Sequence, residues 1–141
     1  MAFSVRATRR IPAPAKRIFD LLADPRQHVR LDGSGSVTEV ISAPPRLFLG
    51  AKFTMRMRIG ATYATRNVVT VFEEDRAIAW HHFAHFTWRY DLSEVDGATQ
   101  VTESFTYNNP LGLFIMALGW PKRNQRAMAA TLERLEAAVT S

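Results

Sequence analysis

The stretch LGLFIMALGWPKRNQRAMAATLERLEAAV, residues 111–139, decides how the rest of the chain folds. In its second half, residues 124–139, Met128, Leu132, Leu135 and Val139 recur at intervals of four, three and four, one stripe of an α-helix. Arg126, Glu133, Arg134 and Glu136 fill the opposite side. The first half, residues 111–120, is apolar nearly all the way round, so one of its faces meets something other than water or the main core. Gly119-Trp120-Pro121 divides the halves, because Pro121 clashes with the preceding turn and disfavours the α conformation at Trp120. A kink there predicts that the first half, with Leu118 and Trp120, tilts as a lid. Strands occupy most of the chain before it, and a sheet wrapped around one long closing helix buries both.

Those strands are read from alternation. Residues 3–11 alternate Phe3, Val5 and Ala7 against Ser4, Arg6 and Thr8, until Pro12 and Pro14 stop the ladder. Pro14 suits the first turn of a helix whose buried stripe is Ile18, Leu21 and Leu22. Asp24-Pro25 then caps a second short helix ending near Leu31. Residues 36–42 read as a strand, and residues 51–59 give the clearest alternation, Phe53, Met55, Met57 and Ile59 against Lys52, Thr54, Arg56 and Arg58. Residues 62–73 form a long strand of open register, since Val68-Val69 and Val71-Phe72 each supply both faces. Strands at 77–83, 87–95 and 98–107 follow, with turns at Glu74-Asp75 and Asp96-Gly97. The expectation is an α+β domain spanning residues 1–141: a seven-stranded antiparallel sheet around a long C-terminal helix, with two short helices after strand one.

Composition narrows the function classes. With no cysteine among 141 residues, disulfides and thiolate chemistry are excluded. No apolar run marks residues 1–10 for export, and residues 111–120 are about half of a membrane span, which predicts a cytoplasmic protein with no integral membrane association. The net charge of +5 is spread through the chain, and no zinc-finger, RNP-like or basic-helix pattern accompanies it, so no nucleic-acid partner is expected. Asp32-Gly33-Ser34-Gly35 lacks the third glycine and the lysine of phosphate-binding loops. His81 and His82 point to opposite faces of a strand with no further ligand at metal spacing, so neither a metal nor a cofactor is expected.

Several local motifs resemble the START/Bet v 1-like helix-grip superfamily, in its bacterial polyketide cyclase/dehydrase and lipid-transport branch. These are Ile11-Pro12-Ala13-Pro14 through Ile18-Phe19-Asp20-Leu21-Leu22 to Ala23-Asp24-Pro25, then Ile78-Ala79-Trp80, Trp88-Arg89-Tyr90-Asp91-Leu92, Gly97-Ala98-Thr99-Gln100-Val101-Thr102-Glu103 and the closing Leu132-Glu133-Arg134-Leu135-Glu136. Leu31 departs from the pattern, standing where many members carry tryptophan. The resemblance implies the helix-grip fold and a cavity between the concave sheet face and the long helix. It implies no single function, because such folds carry ligands, act as receptors and catalyse cyclisation.

Alternation assigns rows to that cavity: Phe53, Met55 and Met57; Trp80 and His82; Trp88 and Tyr90; Phe105 and Tyr107. Singly these are ordinary core residues, but together they hold more half-polar groups than a core needs. Glu103 shares a row with Thr99, Val101, Phe105 and Tyr107; it faces inward unless a bulge returns it to solvent. Buried, it would be neutral or paired, with His82 or an arginine such as Arg66. The leading expectation is a protein that binds a small hydrophobic molecule, lipid-like or aromatic, with Tyr90, His82 and Glu103 fixing its orientation. The alternatives are a cyclase/dehydratase in which Glu103 and His82 move protons, and a protein-interaction module. Sequence leaves monomer and homodimer open.

Overall fold

The computed structural model describes residues 3–59, 61–82, 86–107 and 120–140. Strand β1 (Phe3–Ile11) is followed by helices α1 (Ala15–Leu22) and α2 (Pro25–Leu31). Strands β2 (Val37–Ser42), β3 (Lys52–Ile59), β4 (Ala61–Glu73), β5 (Ala77–His82), β6 (Thr87–Val95) and β7 (Ala98–Tyr107) come next, and helix α3 (Trp120–Thr140) closes the chain. The seven strands form one antiparallel sheet in the order β1-β7-β6-β5-β4-β3-β2. The two short helices carry the chain from one edge to the other, and the sheet then returns strand by strand to lie beside β1. The expected α+β helix-grip architecture is what forms.

Turn chemistry explains the tight returns. Asp96 and Gly97 both take positive φ, 54° and 79°, the left-handed pair that joins β6 to β7 without splaying them. Asp75 at φ 63° turns β4 into β5. The open register of β4 has a physical cause: pairing with β5 shifts between Val69 and Val71, a bulge that breaks the two-residue period. Val69 and Phe72 thereby oppose Trp80 and Ile78 on the same concave face.

The helices are fixed by local chemistry and by distant partners. Asp24 caps α2 by accepting from the Arg26 amide at 3.0 Å, with Pro25 at the first helical position. Pro14 offers α1 no side-chain cap; Glu94 on β6 supplies one, accepting from the Ala15 amide at 2.6 Å. Phe19 joins Ile18 and Leu22 as fully buried, while Leu21 is only half-buried, so the stripe of α1 is rotated from the expected one. On α3 the expected stripe holds, with Met128, Leu132, Leu135 and Val139 all buried against the sheet. The expected break at Gly119-Trp120-Pro121 falls at the start of α3, where Trp120 is already helical; Gly119 and the rest of the expected lid, residues 111–118 with Leu118, lie outside the described residues.

Loop 32–35 pins α2 to α3. A Cβ on Gly33 would sit 2.4 Å from the Ala127 carbonyl oxygen and 2.6 Å from both Ala130 Cβ and the Thr131 nitrogen, so only glycine permits this approach. The Gly33 amide donates to Thr131 Oγ1 at 2.8 Å, and Arg134 donates to the Asp32 carbonyl at 2.6 Å. The other amides of the loop are spent internally: Ser34 and Val37 donate to the Asp32 carboxylate, Gly35 to the Asp32 carbonyl and Ser36 to Ser34 Oγ. The Gly-x-Gly sequence here is a packing device.

Candidate functional site

Strand register brings the polar centre of the site together. Glu103 on β7 lies opposite Ala7 on β1 and Tyr90 on β6, and Tyr90 lies opposite Ile78 on β5. The next row runs Val5, Phe105, Trp88, Trp80 and Val69. Asn67 on β4 opposes Phe53 on one side and His82 on the other, while Met55 and Met57 oppose Thr65 and Tyr63. Every residue assigned to the concave face from alternation, among those described, shares that face.

Glu103 points inward and is 2% exposed. Its carboxyl interacts with the Tyr90 hydroxyl, yet its Oε1 atom has no hydrogen-bond partner among the described residues. Burial raises the Glu103 pKa well above the usual 4.5, and the nearby Asp32 carboxylate pushes the same way, against the opposing hydrogen bond from Tyr90. Burial also raises Tyr90 well above its usual 10, helped by Glu103. Both shifts favour the protonated, uncharged forms. The expected pairing of Glu103 with Arg66 does not form, because Arg66 opposes Thr54 on the convex face and is exposed. The bulge lies beyond Val69, so Arg66 keeps the outward parity of Lys52, Thr54 and Arg56 across β3.

Aromatic rings surround this pair. Trp80 and Tyr90 have centroids 5.8 Å apart, and Phe53 meets Trp80 edge-on at 5.7 Å. Trp88 and Phe105 contact at 4.4 Å in a second group that also holds Met128 of α3. Phe53, Met55, Trp80, Tyr90 and Phe105 are buried, and Met57 and Trp88 half-buried. The side chains of His82, Tyr107 and Trp120 lie outside the described residues, as does Leu118.

Sequence reasoning passed over His28. Its ring stacks on Trp80 at 4.9 Å with an interplanar angle of 21°, and meets Phe53 edge-on at 5.9 Å. Nε2 lies 2.8 Å from the Leu22 carbonyl oxygen, and burial lowers the pKa below the usual 6.5. The signal was present: Pro25, His28 and Leu31 recur every three residues, which places His28 on the inward side of α2. Asp32 was also read only as part of a loop, whereas its charge acts on both Glu103 and Tyr90.

Among the described residues no group of three or more His, Asp or Glu side chains is placed to hold a metal ion. Nor is any described helix long and apolar enough to cross a membrane.

The fold and the sequence both have relatives. An uncharacterized protein of Mycobacterium tuberculosis, Rv0088, is 35% identical over 133 residues, covering 89% of this chain and 59% of the relative, so the chain spans under two thirds of that protein's length. The crystal structure of Ms6760 from Mycobacterium smegmatis superposes with a TM-score of 0.73 at 24% identity, over 97% of this chain and 90% of that one. The Zhui aromatase/cyclase from Streptomyces sp. R1128 superposes with a TM-score of 0.75 at 16% identity, over 100% and 98% of the two chains. At these identities the two structures speak for the fold alone. The sequence family described as polyketide cyclase/dehydrase and lipid transport matches residues 2–140, and the chain belongs to it.

Proposed function

We propose that this protein binds a small hydrophobic molecule, aromatic or lipid-like, between the concave sheet face and the C-terminal helix. The observation that carries the reading is Glu103 Oε1, buried and without a hydrogen-bond partner among the described residues. Leaving such an atom unpaired costs about 1–3 kcal/mol, which a leucine in the same place would avoid. A cost of that size at the centre of an aromatic wall is what a binding site carries and a purely structural core sheds. Burial against Phe53, Trp80, Trp88 and Phe105 would supply affinity, and Met55 and Met57 would adapt the wall to ligand shape. Glu103 and Tyr90, with His82, Tyr107, Leu118 and Trp120 completing the enclosure, would orient the ligand's polar groups.

A second reading has one observation in its favour. A carboxyl group whose proton is held more tightly by burial is suited to act as a general acid, so a cyclase/dehydratase would have Glu103 protonate a departing hydroxyl while His82 accepts a proton from the adjacent carbon. The aromatase/cyclase among the structural relatives is consistent with that chemistry on this fold.

Glu103→Ala and His82→Ala separate the two. Quenching of tryptophan fluorescence by aromatic and lipid probes reports binding, and a polyketide-like substrate reports turnover. A carrier loses affinity in both variants; an enzyme keeps affinity and loses turnover. Unchanged binding in both variants refutes the placement of these residues in the site.

A further inference from the structure

We propose that Nδ1 of His28 is the acceptor pole of this site, taking a hydrogen bond from a hydroxyl group carried by an aromatic ligand. The inference rests on the ligand-binding reading and adds to it a residue and a requirement on ligand chemistry.

The argument begins with the tautomer. Nε2 is 2.8 Å from the Leu22 carbonyl oxygen, and a carbonyl only accepts, so Nε2 carries the proton. Burial keeps the ring neutral at pH 7, which leaves Nδ1 with a bare lone pair. That atom has no hydrogen-bond partner among the described residues, and the residue is only half-buried, which leaves the side chain room for a further contact. The carboxylates that bear on the ring, Asp24 and Asp32, attract a proton only weakly against burial.

Orientation comes from packing. The ring is held flat against Trp80 and edge-on to Phe53, two residues of the proposed aromatic wall. From Trp80 the ring contacts continue to Tyr90, whose hydroxyl meets Glu103. One continuous wall thus ends in a pure acceptor at His28 and, at Glu103, a carboxyl that burial shifts towards its protonated form. A ligand that stacks along it gains at the His28 end only by presenting an O–H; an ether oxygen or a carboxylate there would face a lone pair and be rejected.

Three probes of nearly equal shape test this: naphthalene, 2-naphthol and 2-methoxynaphthalene. Binding is read by tryptophan fluorescence, and the Nδ1 resonance of His28 is followed in protein carrying nitrogen-15 histidine. The expected result is that 2-naphthol binds about tenfold more tightly than its methyl ether, one hydrogen bond's worth, and alone shifts the Nδ1 resonance. In His28→Phe, which keeps a ring against Trp80, the preference should fall towards unity while naphthalene affinity is retained. Equal affinities with an unmoved resonance overturn the proposal, as does a naphthol preference that survives His28→Phe. If that variant does not fold, the wild-type resonance decides. Failure of all three probes to bind removes the ligand-binding reading itself, and this inference with it.

Discussion

The buried pair Glu103 and Tyr90 makes a prediction with opposite signs for stability and binding. Tyr90→Phe alone removes the carboxyl's hydrogen-bond partner and should destabilise the protein by about 1–3 kcal/mol. Glu103→Leu alone removes the unpaired Oε1 but strands the Tyr90 hydroxyl, two terms of about 1–3 kcal/mol each that nearly cancel. The double variant removes both problems and should be at least as stable as the wild type at pH 7, by up to about 2 kcal/mol or several degrees in melting temperature. The pH dependence sharpens it. Because the folded pKa of Glu103 is raised, the native state holds a proton that the unfolded chain releases. Its contribution to stability is present below 4.5 and is lost as pH rises through the folded value. Wild type should therefore lose stability relative to the double variant above pH 4.5, with a slope of up to about 1.4 kcal/mol per pH unit. Urea unfolding from pH 4 to 8, followed by tryptophan fluorescence, measures both effects. A double variant less stable than wild type by more than about 2 kcal/mol, or parallel pH profiles, would refute the reasoning.

Four further outcomes are expected. Gly33→Ala forces a Cβ against backbone atoms of α3 at 2.4–2.6 Å and should cost about 2–3 kcal/mol in chemical denaturation; a cost below about 0.5 kcal/mol would contradict the close approach. His28 has a lowered folded pKa, so its contribution is complete above pH 6.5 and lost as pH falls through the folded value; His28→Phe should flatten that acid limb, and an unchanged slope would count against burial of the ring. Thr99 Oγ1 donates to the Ala13 carbonyl at 2.8 Å in a fully buried setting, so Thr99→Val should lower stability by about 1–2 kcal/mol in thermal melts. Arg46 bridges Asp20 and Glu74 across the surface and lies over Phe19 and Phe72 at 5.8 and 5.6 Å. Its exposure limits the loss in Arg46→Ala to about 1 kcal/mol, and salt should reduce that loss further.

Much of the architecture was legible because its signals are local. Regular alternation in β3 and β7 turned Phe53 and Glu103 inward, and the four-three-four stripe of α3 named its buried residues. Where a period is interrupted, reading fails. The bulge between Val69 and Val71 hid the register of β4, and with the register open Arg66 looked available to Glu103 when it faces the other way. The stripe of α2 is only three residues long, Pro25, His28 and Leu31, so His28 was passed over. The contact that makes Gly33 indispensable is with residues 127–131, nearly a hundred positions later, and no local pattern announces it.

The site follows the same division. Strand parity is enough to gather Trp80, Tyr90 and Glu103, but the upward shift of the Glu103 pKa depends on its burial and on Asp32 from a distant loop. Protonation states are set by tertiary surroundings, so chemistry is the last thing a sequence reveals. Here both titratable groups of interest, Glu103 and His28, are shifted towards neutrality. On the ligand-binding proposal, the wall they occupy would favour uncharged ligands that carry a hydroxyl or carbonyl, since a carboxylate would meet Asp32 without a compensating buried cation among the described residues.

The central claim, that a hydrophobic molecule occupies the space between sheet and helix, is tested most directly by native mass spectrometry of the protein purified from its own host, followed by extraction of whatever is bound. The account predicts a one-to-one complex whose added mass is a neutral, apolar, oxygen-bearing compound, and predicts that Glu103→Leu/Tyr90→Phe loses that mass while staying folded. Protein at its bare mass, together with no tryptophan quenching by aromatic or lipid probes, would contradict it.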